Sequence, residues 1–327
     1  MFTMLRNPPI SFAFFYATVA LFLLQAFPPT GVFLMFFGAA YWSAALINIG
    51  MMGTVIEVIS RSRSRSYLLV PIAFYTFGAG VFIQEIVNRA ILESEINAHN
   101  DQVVISFDPT KQNLVFENYY PALTLVREFG LQSFFAGGFR ASDKIRFFQL
   151  VPKQICEDLQ ISSADENTDL QIFDKPFRNY SPKDSDETAK GRCLLSIPAR
   201  PEKSVIHVSS SDRTSNKQIG TLPVRQTQIS VRTAEGESFG IRAAEASLIY
   251  PVPLPYMGCF LSSATPGWEC LSGFLRGDWK AVSHQLGGRK GDLLSLAKAL
   301  GLRKQAPAEV PTEGIAKFME LIPNGKR

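Results

Sequence analysis

The sequence predicts a membrane α + β protein: an N-terminal three-helix transmembrane region followed by a mainly β extracytoplasmic domain with short C-terminal helices. Three observations carry this. Nearly all long uncharged runs lie before Asn88. A short loop, Ser60 to Ser66, places Arg61, Arg63 and Arg65 between two of those runs. All four cysteines fall beyond the apolar region, among short alternating runs separated by turn residues.

The whole-chain figures conceal this division. A mean hydropathy of +0.07 over 327 residues resembles that of an ordinary soluble enzyme. Residues 1–92, however, carry five arginines against Glu57 and Glu85, a net of +3, and the remaining chain carries +1 of the total of +4. Nucleic-acid binding favours a concentrated basic face, so that near-neutral remainder gives no reason to expect a nucleic-acid partner. A remainder of this length is ample for one sizeable domain. The expected division is 1–92 as the transmembrane region, 93–303 as the extracytoplasmic domain and 304–327 as a tethered tail.

The first span is expected at about 10–27, following Arg6, Pro8 and Pro9. At about 1.5 Å per residue this run just crosses a hydrocarbon core of about 30 Å. It is longer than a secretory signal core, and no clear Ala-x-Ala site follows it. Pro28-Pro29-Thr30 breaks the helix, and a second span is expected at about 31–53. The small residues Gly38, Ala39, Ala40, Ser43, Ala44, Ala45, Gly50 and Gly53 suit close helix packing in lipid. The third span is expected at about 67–87, with Pro71 kinking its start, and continues into water as far as Asn100. Asn48 is placed to bond across helices. Glu57, Gln84 and Glu85 are expected near the ends of the runs, solvated by headgroups and water.

Orientation follows from Arg6, Arg61, Arg63 and Arg65, which set topology by the positive-inside rule. The N-terminus and the loop are expected in the cytoplasm and everything after about Asn88 outside, with the chain multi-pass in a bacterial inner membrane. The lipid bilayer is then one partner, and other membrane or envelope proteins are the expected others.

In the polar part, an even cysteine count suits an oxidising compartment. Cys259 with Cys270 and Cys156 with Cys193 are the expected disulfides, although four cysteines allow three connectivities. Strands are expected at 103–107, 114–116, 145–151, 193–197, 205–208, 228–231 and 239–241. The segment 123–129 is ambiguous between strand and helix, and 158–192 reads as a long exposed loop. Several short strands at this spacing argue for a sandwich or barrel-like unit. Pro251-Val252-Pro253-Leu254-Pro255 must be extended. Leu293, Leu296, Ala297 and Leu300 share a helical face, stopped at Gly301. After a Pro/Ala tether, Ile315, Phe318, Met319 and Ile322 form an apolar stripe, either folded back or docked in a partner's groove.

No catalytic constellation stands out. His207 precedes Ser209, Ser210, Ser211 and Asp212, but neighbours on one strand cannot assemble a triad. Gly287-Gly288-Arg289-Lys290-Gly291 lacks the ending of a phosphate loop. No Cys-x-x-Cys or finger-like Cys/His spacing is present, so no metal or cofactor is expected. The leading functional reading is a membrane-anchored extracytoplasmic protein-binding subunit or accessory factor of a cell-envelope assembly. The alternatives are a membrane-tethered extracytoplasmic enzyme and a sensor acting through a partner.

Overall fold

The structure, a computed structural model, describes residues 9–60, 64–117, 122, 125–126, 129, 131, 133–137, 145–152, 154–155, 171–173, 192–262, 267–282 and 291–303. The chain divides into two compact units. The first gathers Met1–Leu92, Lys217–Val224 and Glu245–Lys280; the second gathers Glu93–Asn216, Arg225–Ala244 and Ala281–Arg327.

The first unit is built on apolar helices. Helix α1 (Phe12–Ala26) ends before the paired prolines, as expected. Those prolines then open a second helix, α2 (Pro28–Phe36), because the first turn of a helix has no use for the N–H that proline lacks. The axis bends by 113° between α1 and α2. The expected second span therefore does not start at Gly31. Gly38, with φ +64°, turns the chain in a conformation that other residues resist, and α3 runs over Ala39–Ser60. A 3-10 turn, Arg65–Leu68, leads into α4, Leu69–Asp101. Pro71 falls in the first turn of α4, where its missing N–H breaks no bond. Two helical stretches, Ala39–Ser60 and Arg65–Asp101, are long and apolar enough to cross a membrane, and α1 with α2 passes the same test only as a bent pair.

The same unit contains a two-stranded antiparallel ribbon, β9 (Pro255–Ser262) and β10 (Gly267–Phe274). Cys259 and Cys270 stand directly opposite one another and are disulfide-bonded, as the sequence predicts.

The second unit is organised by a mixed sheet. Its strands are β1 (Gln112–Phe116), β2 (Ser133–Ala136), β3 (Arg146–Pro152), β4 (Gln171–Phe173), β5 (Arg192–Pro198), β6 (Ser204–Ile219), β7 (Leu222–Arg232), β8 (Ser238–Ala246) and β11 (Lys280–Ala281). Their order is β11-β8-β7-β6-β1-β2-β3-β5-β4. β1 pairs in parallel with both β2 and β6, while β3 pairs antiparallel with β2 and β5. The expected sandwich or barrel is thus replaced by one open sheet. Alternation fixes which side chains are buried, and both architectures present the same alternation.

Individual elements depart from expectation in instructive ways. Residues 103–107 are irregular, because Ile105 donates its N–H to Ala299 instead of joining a ladder. Ser210-Ser211-Asp212, whose residue types suit a turn, lies inside β6. β4 lies inside the stretch expected as a loop, most of which is outside the described residues. Leu125 and Val126 are helical, which decides the ambiguous segment at those two positions. In β7, Ile229 and Val231 are buried and Gln228 is exposed, as a half-buried strand requires. Helix α5 (Gly291–Ala299) puts Leu293, Leu296 and Ala297, with Leu300 just after it, into the main core with Phe116, Phe134, Ile206 and Ile241. Val151, Cys193, Leu195 and Ile197 form a second apolar cluster.

Candidate functional site

The candidate site lies within the first unit, where polar side chains on apolar helices find specific partners. A charge taken out of water and left unpaired costs several kcal/mol, so the partners of such groups show what the helices are built to hold.

Glu85 on α4 is completely buried. Arg276, which follows β10, grips it with two charge-assisted bonds: Nη2 to Oε1 at 2.9 Å and Nη1 to Oε2 at 3.1 Å. Oε2 also accepts the N–H of Ile249 at 2.9 Å. The guanidinium donates further to the carbonyls of Ser247 at 2.8 Å and Thr221 at 2.7 Å. One ion pair therefore ties α4 to the turn between β6 and β7, to the segment after β8 and to the exit of the ribbon. This corrects the expectation that Glu85 is solvated. It also commits the Arg276 guanidinium inward.

Glu57 is likewise engaged. Its carboxylate accepts the N–H groups of Ile10 at 2.8 Å and Ser11 at 2.7 Å, satisfying orphan donors at the start of α1. Ser11 Oγ meets Thr54 Oγ1 at 3.0 Å. The small residues predicted on α3 do admit close neighbours: a Cβ at Gly50 would press on Phe15, and one at Gly53 on Ser11. Ala40 is met by Gly258 of β9. Asn48 does bond across helices, accepting the Tyr75 hydroxyl at 3.1 Å, and it also donates to the carbonyl of Pro253 at 3.1 Å. Ser43 Oγ accepts the N–H of Met257 at 2.9 Å.

Gln25 is 2% exposed near the end of α1. Its Oε1 accepts the N–H of Cys259, and its carbonyl accepts Trp268 Nε1 at 3.0 Å. Gln25 Nε2 has no hydrogen-bond partner among the described residues. Sequence reasoning had no means of finding this contact, because a single glutamine at a helix end reads as interfacial.

The other predicted residues fall out as follows. Cys193 is disulfide-bonded, while Cys156 lies outside the described residues. Arg65 is exposed in the 3-10 turn; Arg6, Arg61 and Arg63 lie outside the described residues. So do His284 and the tail residues Ile315, Phe318, Met319 and Ile322. His99 donates from Nε2 to the carbonyl of Gly240 at 2.9 Å, and His207 is exposed on β6. Among the described residues no group of three or more His, Cys, Asp or Glu side chains is placed to hold a metal ion. No protein family, curated protein or solved structure matches this chain.

Proposed function

We propose that the protein is a membrane-anchored extracytoplasmic subunit or accessory factor of a cell-envelope assembly, of the secretion, pilus or export type, binding other proteins there. The observation that carries this reading is the Glu85–Arg276 clamp. A passive tether needs only apolar length. Here the fully buried Glu85 of a membrane-length helix is paired with Arg276, whose guanidinium also holds the carbonyls of Ser247 and Thr221. Rigid bracing of that kind suits a subunit that must hold a binding surface in register with neighbours. The bonded cysteines support an oxidising, extracytoplasmic setting. The loop arginines support a cytoplasmic N-terminus in a bacterial inner membrane.

The test is purification of the tagged full-length protein from native membranes in mild detergent, with its companions identified. Near-stoichiometric companions, lost when the helices are replaced by an unrelated anchor or when Thr312–Arg327 is removed, would establish the subunit and name its assembly. A solitary protein would overturn the reading and favour a tethered enzyme.

A further inference from the structure

The segment that enters and leaves the ribbon has an unusual composition for a polar domain. From Leu248 to Trp268 no residue is charged, and the entry reads Tyr250-Pro251-Val252-Pro253-Leu254-Pro255. Val252 and Leu261 expose 54% and 64% of their surface, and Tyr250 and Leu271 are also exposed. In a water-facing loop such a run has no physical reason to exist.

Its depth can be read from the helices it touches. Pro253 packs against Gly78, where an added Cβ would lie 2.6 Å from the proline ring, and its carbonyl is held by Asn48. At about 1.5 Å of rise per residue, Gly78 lies about 14 Å along α4 from Leu69, and Asn48 about 18 Å along α3 from Ser60. A hydrocarbon core is about 30 Å thick, so both helices place Pro253 near its middle. Any tilt of the helices reduces those depths and moves Pro253 no further outward. The ribbon is higher: Met257 bonds to Ser43 and Cys259 to Gln25, near the far ends of α3 and α1.

Non-helical backbone inside a bilayer must have its polar groups satisfied or removed, and six groups of this segment meet that requirement. Pro251, Pro253 and Pro255 carry no N–H at all. The N–H of Ile249 is taken by Glu85. The carbonyl of Pro253 is taken by Asn48, and that of Leu254 accepts the N–H of Leu275 at 2.8 Å. Alternating prolines therefore remove donors where water is absent. The ribbon carries Tyr256 and Trp268, residue types that collect at membrane interfaces.

We infer that Ile249–Leu261, together with Leu271, is a lipid-embedded re-entrant element. Its proline strand reaches the bilayer midplane beside α3 and α4, its ribbon lies in the headgroup layer of the leaflet opposite the arginine loop, and acyl chains cover Val252, with Leu261 and Leu271 at the headgroup boundary. Lipid is the occupant because the segment packs directly on a membrane-length helix, Pro253 against Gly78 and Phe274 against Phe77 with ring centroids 6.4 Å apart, while Phe77, Ile83 and Val252 are all exposed apolar side chains. The inference holds whether or not the protein belongs to an envelope assembly.

The test uses the full-length protein, purified without reductant and reconstituted into phosphatidylcholine/phosphatidylglycerol vesicles. Spin labels are placed singly through Val252→Cys, Leu261→Cys and Leu271→Cys, with Ile83→Cys as the lipid reference and Glu235→Cys as the aqueous reference. Relaxation by oxygen, which partitions into lipid, is compared with relaxation by a water-soluble nickel chelate. The expected result is an oxygen-to-nickel ratio at Val252 matching that of Ile83 and several-fold above that of Glu235, with Leu261 and Leu271 intermediate. A ratio like that of Glu235 at Val252 and Leu261 would place the segment in water and overturn the inference. Labels shielded from both reagents would also overturn it, since protein and not lipid would then cover the segment.

Discussion

Arg276 and Glu85, 191 residues apart in sequence, meet through two hydrogen bonds of 2.9 and 3.1 Å inside the membrane-anchoring unit. The pair is asymmetric: the Glu85 side chain is 0% exposed, whereas that of Arg276 is 29% exposed. Removing one partner of a buried ion pair costs about 3–5 kcal/mol, because a charge is stranded. Arg276→Ala strands a carboxylate that cannot reach water, so it should approach that range. Glu85→Gln strands a guanidinium that is partly solvated already and still has the carbonyls of Ser247 and Thr221; it should cost clearly less. Glu85→Leu combined with Arg276→Met should be milder than Arg276→Ala alone. Thermal unfolding in detergent, followed by near-ultraviolet circular dichroism, would rank the three, and an unshifted midpoint for Arg276→Ala would remove the clamp from the account of stability.

Two glycines on α4, two residues apart, should respond oppositely to alanine. At Gly78 the new methyl would collide with the Pro253 ring, which cannot rotate away; overpacking of this kind costs about 1–3 kcal/mol. At Gly80 nothing lies within 4 Å, and alanine should be neutral or stabilising by up to about 1 kcal/mol through helix propensity. Melting temperatures of Gly78→Ala and Gly80→Ala, measured side by side, would decide it. Equal melting temperatures would mean that Pro253 is not packed against α4.

These contacts mark the boundary of what the sequence discloses. The face of α5 was legible because Leu293, Leu296, Ala297 and Leu300 repeat at helical spacing, and Gly301 follows with φ +68°. The Cys259–Cys270 bond was legible because the two cysteines flank the turn-forming residues Thr265-Pro266-Gly267 in sequence. Glu85 was not: beside Gln84 and Asn88 it reads as the wet end of a span, and nothing near it names a partner 191 residues away. The same limit hid the parallel pairing of Val115 with His207, which no local turn encodes. It hid α2 as well, since a proline pair signals a helix stop and a helix start with the same residues. Periodicity and turn chemistry are local, whereas the candidate site is made of long-range polar contacts.

Asn100, at the end of α4, acts as a side-chain substitute for a strand partner. Its Nδ2 donates to the carbonyl of Arg242 at 2.9 Å, and its Oδ1 accepts the N–H of the same residue at 2.9 Å. It is buried, so replacing it leaves two backbone groups of β8 without partners. Asn100→Ala should destabilise the protein by about 1–3 kcal/mol. Asn100→Asp, which keeps the acceptor and loses the donor, should fall between the two. Urea unfolding of both variants would test this, and a wild-type midpoint for Asn100→Ala would contradict it.

Asp108 provides the expected acid sensitivity. The Thr110 hydroxyl donates to its carboxylate at 2.6 Å, the Thr110 N–H at 2.9 Å, and Lys111 and Lys203 add positive charge; together these hold the carboxyl below the usual aspartate range. A depressed folded-state value means that the ionised turn stabilises the fold fully above the ordinary aspartate value of about 4, and that this contribution fades as pH falls below it. Asp108→Asn should therefore lower the urea midpoint at pH 7 slightly and match wild type near pH 2. The Asp108 side chain is 45% exposed and water screens its partners, so the effect is small. An equal difference at both pH values would show that the charge on Asp108 is irrelevant.

Topology can be tested without disturbing any disulfide, because Cys259, Cys270 and Cys193 are all bonded. Wild-type protein in intact cells should therefore resist maleimide in the absence of reductant. Glu235, in the exposed turn between β7 and β8, and Ser64, exposed just before the 3-10 turn, lie on opposite sides of α4 in sequence. If α4 crosses the membrane once with the arginine loop in the cytoplasm, Glu235→Cys should react with a membrane-impermeant maleimide in spheroplasts. Ser64→Cys should react only after lysis. The reverse pattern would place the polar domain in the cytoplasm. Labelling of both variants in intact spheroplasts would mean that α4 does not cross at all. The reverse pattern would remove the extracytoplasmic reading, whereas the expected pattern would fix the compartment in which partners must be sought.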